Sequence, residues 1–246
     1  MLVLLGALAV ALALADDDQA RGKKIKSKEE RKPAAEATER RDRSIAILKK
    51  ENVPFMALLP VLETEAESKR RTTEEVAERA MALCVVAVKG EGLEQEEVLK
   101  LVKKYRLEKA FTPKEKAFID DPKPSERDRT QFSWRYECYW VTLWSLGMID
   151  KLERPDKICD VPKAAKLLFG ETRASFLKKA KLRSQKEIMD AADLIYRYDW
   201  AAVDARVKGK ETPAGLDGGV IVERHHALNW LIGYMDQEWD KVSTDT

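Results

Sequence analysis

The chain has two histidines, and they stand side by side in Glu223-Arg224-His225-His226. Glu223 and His226 form a Glu-x-x-His pair, a spacing that sets both side chains on one helical face. Di-iron bundles use such a face, but they need a second pair on another helix. Two adjacent histidines cannot supply it. A zinc-protease helix requires His-Glu-x-x-His, which the sequence lacks. What stays open is a mononuclear metal site using His226, Glu223 and either Glu187 or Asp190. Acid–base work by a carboxylate pair such as Glu187 with Glu223 is the other catalytic option. The competing expectation is that these are polar groups satisfied inside a helical core, with no cofactor and no metal. His225 shares an apolar stripe with Ile221 and Leu228, which marks it as structural.

Other chemistries find no footing. There is no Gly-x-Ser-x-Gly elbow and no Gly-x-x-x-x-Gly-Lys-Ser/Thr loop. Gly90-Glu91-Gly92 lacks the third glycine and the preceding strand that a dinucleotide site requires. Cys84, Cys138 and Cys159 form no Cys-x-x-Cys pair, so zinc ribbons and thioredoxin-like motifs are out. No spacing sets either histidine beside one of these thiols as a base. The balance of 45 basic against 43 acidic side chains, net +2, gives no reason to expect nucleic acid as a partner.

Helices must position these residues. Thr72-Thr-Glu-Glu75 reads as a capping box, followed by Val76, Ala80, Leu83, Ala87 and Val88 at helical spacing and closed by Gly90 and Gly92. A second helix is expected over 93–105. Thr112-Pro-Lys-Glu115 opens a third, with cap, proline at the first turn and glutamate at the third position. After a break at 120–124, helices are expected over 133–146, 161–169 and 172–181. Ser184-Gln-Lys-Glu187 caps a long one reaching 208, and Gly218-Gly219 introduces the last, 220–235. No run alternates with period two over the length of a strand. The expected fold is all-α, a single compact multi-helix domain.

Three of these helices embed charge among apolar bulk. Trp134, Tyr136, Tyr139, Trp140 and Trp144 leave no wide polar face around Arg135 and Glu137. On the long helix, Asp190, Asp193, Arg197 and Asp204 recur on one side. On the last, the stripe of Ile221, His225, Leu228, Ile232 and Met235 is joined by a second apolar face, so Glu223, Arg224, His226 and Asn229 need protein partners. Arg135, Arg197 and Arg224 are expected to pair with Glu137, Glu187, Asp190, Asp193 and Glu223. Asp193 and Arg197, four apart, can pair within their own helix. Two carboxylates are then in excess, to be met by a cation or by Lys186 and solvent. Read as a site instead, the meeting point of the helices carrying Arg135, Glu187/Asp190 and Glu223/His226 would serve a hydrolase or metal-dependent enzyme. Arg135, Glu137, Arg197, Arg224 and Trp230 would then be its binding groups.

The N-terminus is of a different kind. Residues 1–15 are apolar throughout, with Ala13 and Ala15 placed as at an Ala-x-Ala cleavage site and Asp16-Asp17-Asp18 directly after. This is a signal-like leader lacking the usual preceding Lys or Arg. It is shorter than the roughly twenty residues that span a bilayer. Residues 16–42 are charged or small and read as a flexible linker, which leaves 43–246 as the domain. The expected location is periplasmic or extracellular if the leader is a true signal, and otherwise anchored by the N-terminus or cytoplasmic. A membrane enters only through an uncleaved leader.

Several segments resemble a bacterial family, the domain of unknown function 4272. They include Arg43-Ser-Ile-Ala-Ile-Leu48, Glu74-Glu-Val-Ala-Glu-Arg79, Leu143-Trp144-x-Leu146-Gly147, Asp193-Leu194-x-Tyr196-Arg197, Glu223-Arg224-His225-x-Ala227-Leu228-Asn229-Trp230 and Trp239-Asp240-x-Val242. The resemblance spans about residues 43–246 in consistent order. It implies a domain without established activity, so no functional residue transfers from it. Its members are commonly cytosolic, and the leader is a departure from them. The function expected from the sequence is a non-catalytic module that binds a partner, most simply a protein. The alternative is the hydrolase or metal-dependent enzyme described above.

Overall fold

Helix α1 (Ala35–Lys50) begins inside the stretch read as linker from its composition. The computed structural model describes residues 34–246; the leader at 1–15 and residues 16–33 lie outside the described residues. Ala37, Arg40, Ser44 and Leu48, three or four apart, form the buried stripe of α1. Composition could not show this, because one anchor is an arginine. Arg40 is 1% exposed, pairs with Glu36 and donates to the Glu63 carbonyl at 2.7 Å.

The central helix, α2 (Thr73–Gly90), starts at the capping box expected for it. Thr72 Oγ1 accepts from the Glu75 amide, while Glu75 Oε2 accepts from the Thr72 amide at 2.7 Å. From Val76 onward nearly every side chain is buried, so α2 runs through the core rather than along a surface. Helices α3 (Gln95–Tyr105), α4 (Pro113–Asp120), α5 (Glu126–Ser133), α6 (Arg135–Ser145), α7 (Val161–Phe169) and α8 (Arg173–Lys179) follow. The long α9 (Gln185–Val207), a 3-10 turn at Pro213–Gly215 and α10 (Gly218–Leu231) complete the set before two further 3-10 turns, Tyr234–Asp236 and Trp239–Lys241. Helix α2 packs on α5 and α6, α10 packs on α6 and α9, and α1 covers α9. Among the described residues there is no strand. The fold is all-α, as expected, and none of these helices is long and apolar enough to cross a membrane.

Two helix boundaries differ from the sequence reading. The helix expected over 133–146 begins only after Trp134, and the preceding α5 was not anticipated. Its sequence is polar, with Phe132 its buried residue, so apolar periodicity carries little signal there. The start signal was present: Ser125 Oγ accepts from the Asp128 amide at 3.1 Å. The last helix ends at Leu231 rather than 235, because Gly233, Met235 and Asp236 take positive φ. Met235 is therefore off the apolar stripe and 67% exposed.

Gly90 does more than close α2. A Cβ there would lie 2.5 Å from the Ser133 amide nitrogen and 2.8 Å from the Arg129 carbonyl oxygen. Both are backbone atoms of α5, so relief requires moving a helix. Gly90→Ala is expected to destabilise by about 1–3 kcal/mol, read as a lower urea midpoint with an unchanged slope.

Candidate functional site

The charges embedded in α6, α9 and α10 pair largely with one another. Arg224 Nε donates to Glu137 Oε2 at 2.9 Å, with the side chains 3% and 2% exposed. Arg224 Nη1 also donates to the Glu153 carbonyl at 2.6 Å. The second oxygen of Glu137 accepts from the Cys159 amide. Arg197 grips Asp193 with two bonds of 2.9 Å, both groups fully buried. Arg135 Nη1 reaches Glu223 Oε2 at 2.7 Å, and the Cys138 thiol donates to the same oxygen at 3.0 Å. Asn229 donates to the Ser243 carbonyl. His225 is 1% exposed, and its Nδ1 lies 2.8 Å from Asp199 Oδ2. Asp199 went unnoticed in the sequence, since nothing local links it to a histidine 26 residues on.

The structure does not gather the proposed catalytic set. Glu187 caps α9 through Ser184 and takes Arg183 at 3.0 Å, which holds its carboxyl below the usual range, the Ser184 bonds being the larger cause. Asp190 takes Arg43 at 2.6 Å and Lys186 at 2.7 Å. The two excess carboxylates are thus neutralised by cations of α1 and α9 and of the loop before α9. Glu187 and Asp190 line a hollow of about 550 Å³ together with Arg224 and Arg154, whereas Glu223 and His226 are not on its wall. Among the described residues no three His, Cys, Asp or Glu side chains are arranged to hold a metal ion. The mononuclear set of His226, Glu223 and Glu187 or Asp190 is not assembled.

A different feature stands open to solvent. A groove of about 830 Å³ runs beside the start of α2, with Trp230 and Trp239 in its wall. The Arg71 guanidinium lies over the Trp230 ring at 4.6 Å, and that of Arg79 over Trp239 at 4.9 Å. The two indoles meet edge to face at 5.5 Å. The result is a continuous row, Arg71–Trp230–Trp239–Arg79. Arg71 is fixed further by its Nε bond to the Trp230 carbonyl at 3.1 Å. Arg79, 6% exposed, donates to Glu115 Oε2 at 2.6 Å. That glutamate also closes the capping box of α4 by accepting from the Thr112 amide. Of the sequence candidates, Trp230 alone lines this groove. Arg79, Glu115 and Trp239 were missed as a group because they come from three separate segments.

Unused polar capacity lies in the wall at Arg79 and Trp239 and continues behind it, into the core. Ten buried side-chain atoms have no hydrogen-bond partner among the described residues. Five belong to one contiguous patch: Arg79 Nε, Glu115 Oε1, Trp239 Nε1, His226 Nε2 and Arg135 Nε. His226 packs against Trp239 at 4.7 Å between ring centres. Burial, then the positive charges of Arg135 and Arg79, push its pKa down to about 3, against the Trp239 backbone and Asp240. A neutral ring fits a core position beside two arginines. His226 Nε2 has no hydrogen-bond partner among the described residues, although the Trp239 backbone lies close enough to favour the charged ring.

All three cysteines are free and buried. Burial pushes the Cys84 thiol up to about 12 and raises Cys138 and Cys159 as well. Because the thiolate is the reacting form, iodoacetamide at pH 8 is expected to label none of the three until the protein unfolds, as read by mass spectrometry.

No curated protein and no solved structure compared with the chain matches it. The family model described as a domain of unknown function, DUF4272, matches residues 40–242. With the greater part of its length covered by that match, the chain belongs to the DUF4272 family.

Proposed function

We propose that this protein is a non-catalytic helical module that binds a partner protein through the groove beside α2. One observation carries the reading. The charges that could have formed an active site are paired inside the fold, whereas the groove presents Arg71 stacked on the edge of a largely buried Trp230–Trp239 pair, Trp and Arg being the side chains that most often dominate binding at protein interfaces. Its apolar floor of Ala110, Phe111 and Pro113 adds contact area. Export through the leader, to the periplasm or outside the cell, is part of the proposal and rests on the sequence of residues 1–15. N-terminal sequencing of the mature chain tests that part: a start at or near Asp16 supports it, and an intact Met1 on a cytoplasmic protein overturns it.

The binding reading is tested by a photo-crosslinking residue in the full chain at position 111, in the groove, or at position 152, in the hollow lined by Glu187. Crosslinking to a discrete partner from 111 and not from 152 is the expected result. Crosslinking from 152 alone, or none from 111, overturns the groove as the binding face.

The hydrolase or metal-dependent alternative draws on Glu223 and His226. Neither shares a contact with Glu187 or Asp190, and the Arg135 and Cys138 donors already occupy Glu223 Oε2. No observation favours it over the groove.

A further inference from the structure

The groove's charges are not evenly committed. Glu75 is held by Thr72 through its amide and hydroxyl, Glu78 by Arg173 at 2.9 Å, and Asp240 by the Lys114 amide at 3.2 Å. Glu238, exposed, is the one wall acid without a partner among the described residues. The cations are freer. Arg71 hydrogen-bonds through Nε alone, leaving both terminal nitrogens unbonded although Glu75 and Asp236 lie within its electrostatic range; Lys241 makes no ion pair among the described residues; Lys114 Nζ has only a 3.4 Å contact to the Asp240 carbonyl. Within the wall, Arg79 Nε and Trp239 Nε1 are donors with no acceptor, and Arg79 is more than nine-tenths buried.

The way Arg71 is held matters as much as its charge. A guanidinium stacked on an indole uses its face for that contact and keeps its in-plane N–H edge for a second partner. That edge matches the two oxygens of a carboxylate. Because Trp230 and its carbonyl already fix Arg71, little side-chain freedom remains to be lost when an anion arrives.

We infer that the groove's ligand is an acidic peptide segment, with an Asp or Glu carboxylate seated on Arg71 and Lys241 and an adjacent apolar side chain on Phe111 and Pro113. The inference rests on the partner-binding reading and names the chemistry of the partner. A carboxylate on a peptide is the shape an open groove with an apolar floor accepts. A phosphate shares the charge but brings no apolar flank.

The test is selection of random heptapeptides displayed on phage against the immobilised full chain, followed by affinity measurement on the selected peptide through tryptophan fluorescence. The selected sequences are expected to carry Asp or Glu next to an aromatic or aliphatic residue. Replacing that acid by its amide, or using Lys241→Gln or Arg71→Gln protein, is expected to weaken binding by about tenfold or more. Lys241 is exposed, so its variant keeps the test valid if Arg71→Gln disturbs the fold. Binding should weaken with added salt, and 10 mM inorganic phosphate should compete no better than chloride at equal ionic strength. Selected peptides lacking acids, but lost on Phe111→Ser, would overturn the inference while leaving the groove reading intact. Equal binding by Lys241→Gln protein, or effective competition by phosphate, would also overturn it. No enrichment over bare support would overturn both.

Discussion

Glu137→Ala is expected to cost about 3–5 kcal/mol, the range for removing one partner of a buried ion pair. Its carboxylate serves Arg224 and the Cys159 amide together, and nothing else of opposite charge is bonded to that guanidinium. The variant leaves a cation 3% exposed with only the Glu153 carbonyl to stabilise it. Against a total stability of about 5–15 kcal/mol for an ordinary domain, that loss is large enough to populate unfolded protein at 37 °C. Urea unfolding reads it directly. The double variant Glu137→Met/Arg224→Met is expected to be less destabilised than Glu137→Ala, since no buried charge is left alone. A double variant as unstable as the single would mean that shape, not charge, holds this position.

Stability is expected to fall as the pH drops below about 6.5, through His226. An unfolded histidine takes up a proton near 6.5, while the folded ring does so only at about 3. Between those values the unfolded chain binds more protons, so stability rises with pH and its His226 contribution is complete above 6.5. The slope approaches about 1.4 kcal/mol per pH unit between 6 and 4.5. Below 4.5 Glu75 and Glu187, both held below their ordinary value, add losses of the same sign as they protonate. Urea midpoints at pH 7.5, 6 and 5 test this against His226→Phe, which keeps a ring on Trp239. The variant is expected to lose less stability across that range than the wild type, and equal losses would sink the assignment.

The helices were legible because their signals are local. Thr72, Thr112 and Ser184 cap where the sequence placed them, and the four-residue spacing of Asp193 and Arg197 produced the expected pair. The pairing of Arg135 with Glu223 and of Arg224 with Glu137 was also readable as a need, since an apolar helix must satisfy its own charges. Signals that cross the chain were not. Asp199 with His225, and Arg79 with Glu115, depend on which helices become neighbours. The groove joins the residues before α2, the start of α4 and the turns after α10. No periodicity links them. Gly233 and the left-handed Met235 and Asp236 turn the chain so that Trp239 returns to Trp230 and Arg79, and Met235 is of a type that seldom adopts such φ values.

On the proposed reading Glu223 and His226 belong to the scaffold and hold no metal. Elemental analysis of the purified full chain, alongside Glu223→Ala/His226→Ala, tests it most directly when each sample's urea midpoint is also recorded. No stoichiometric metal in the wild type and a markedly lowered midpoint in the double variant are expected. Stoichiometric metal in the wild type, lost from a double variant whose midpoint is unchanged, would contradict that reading.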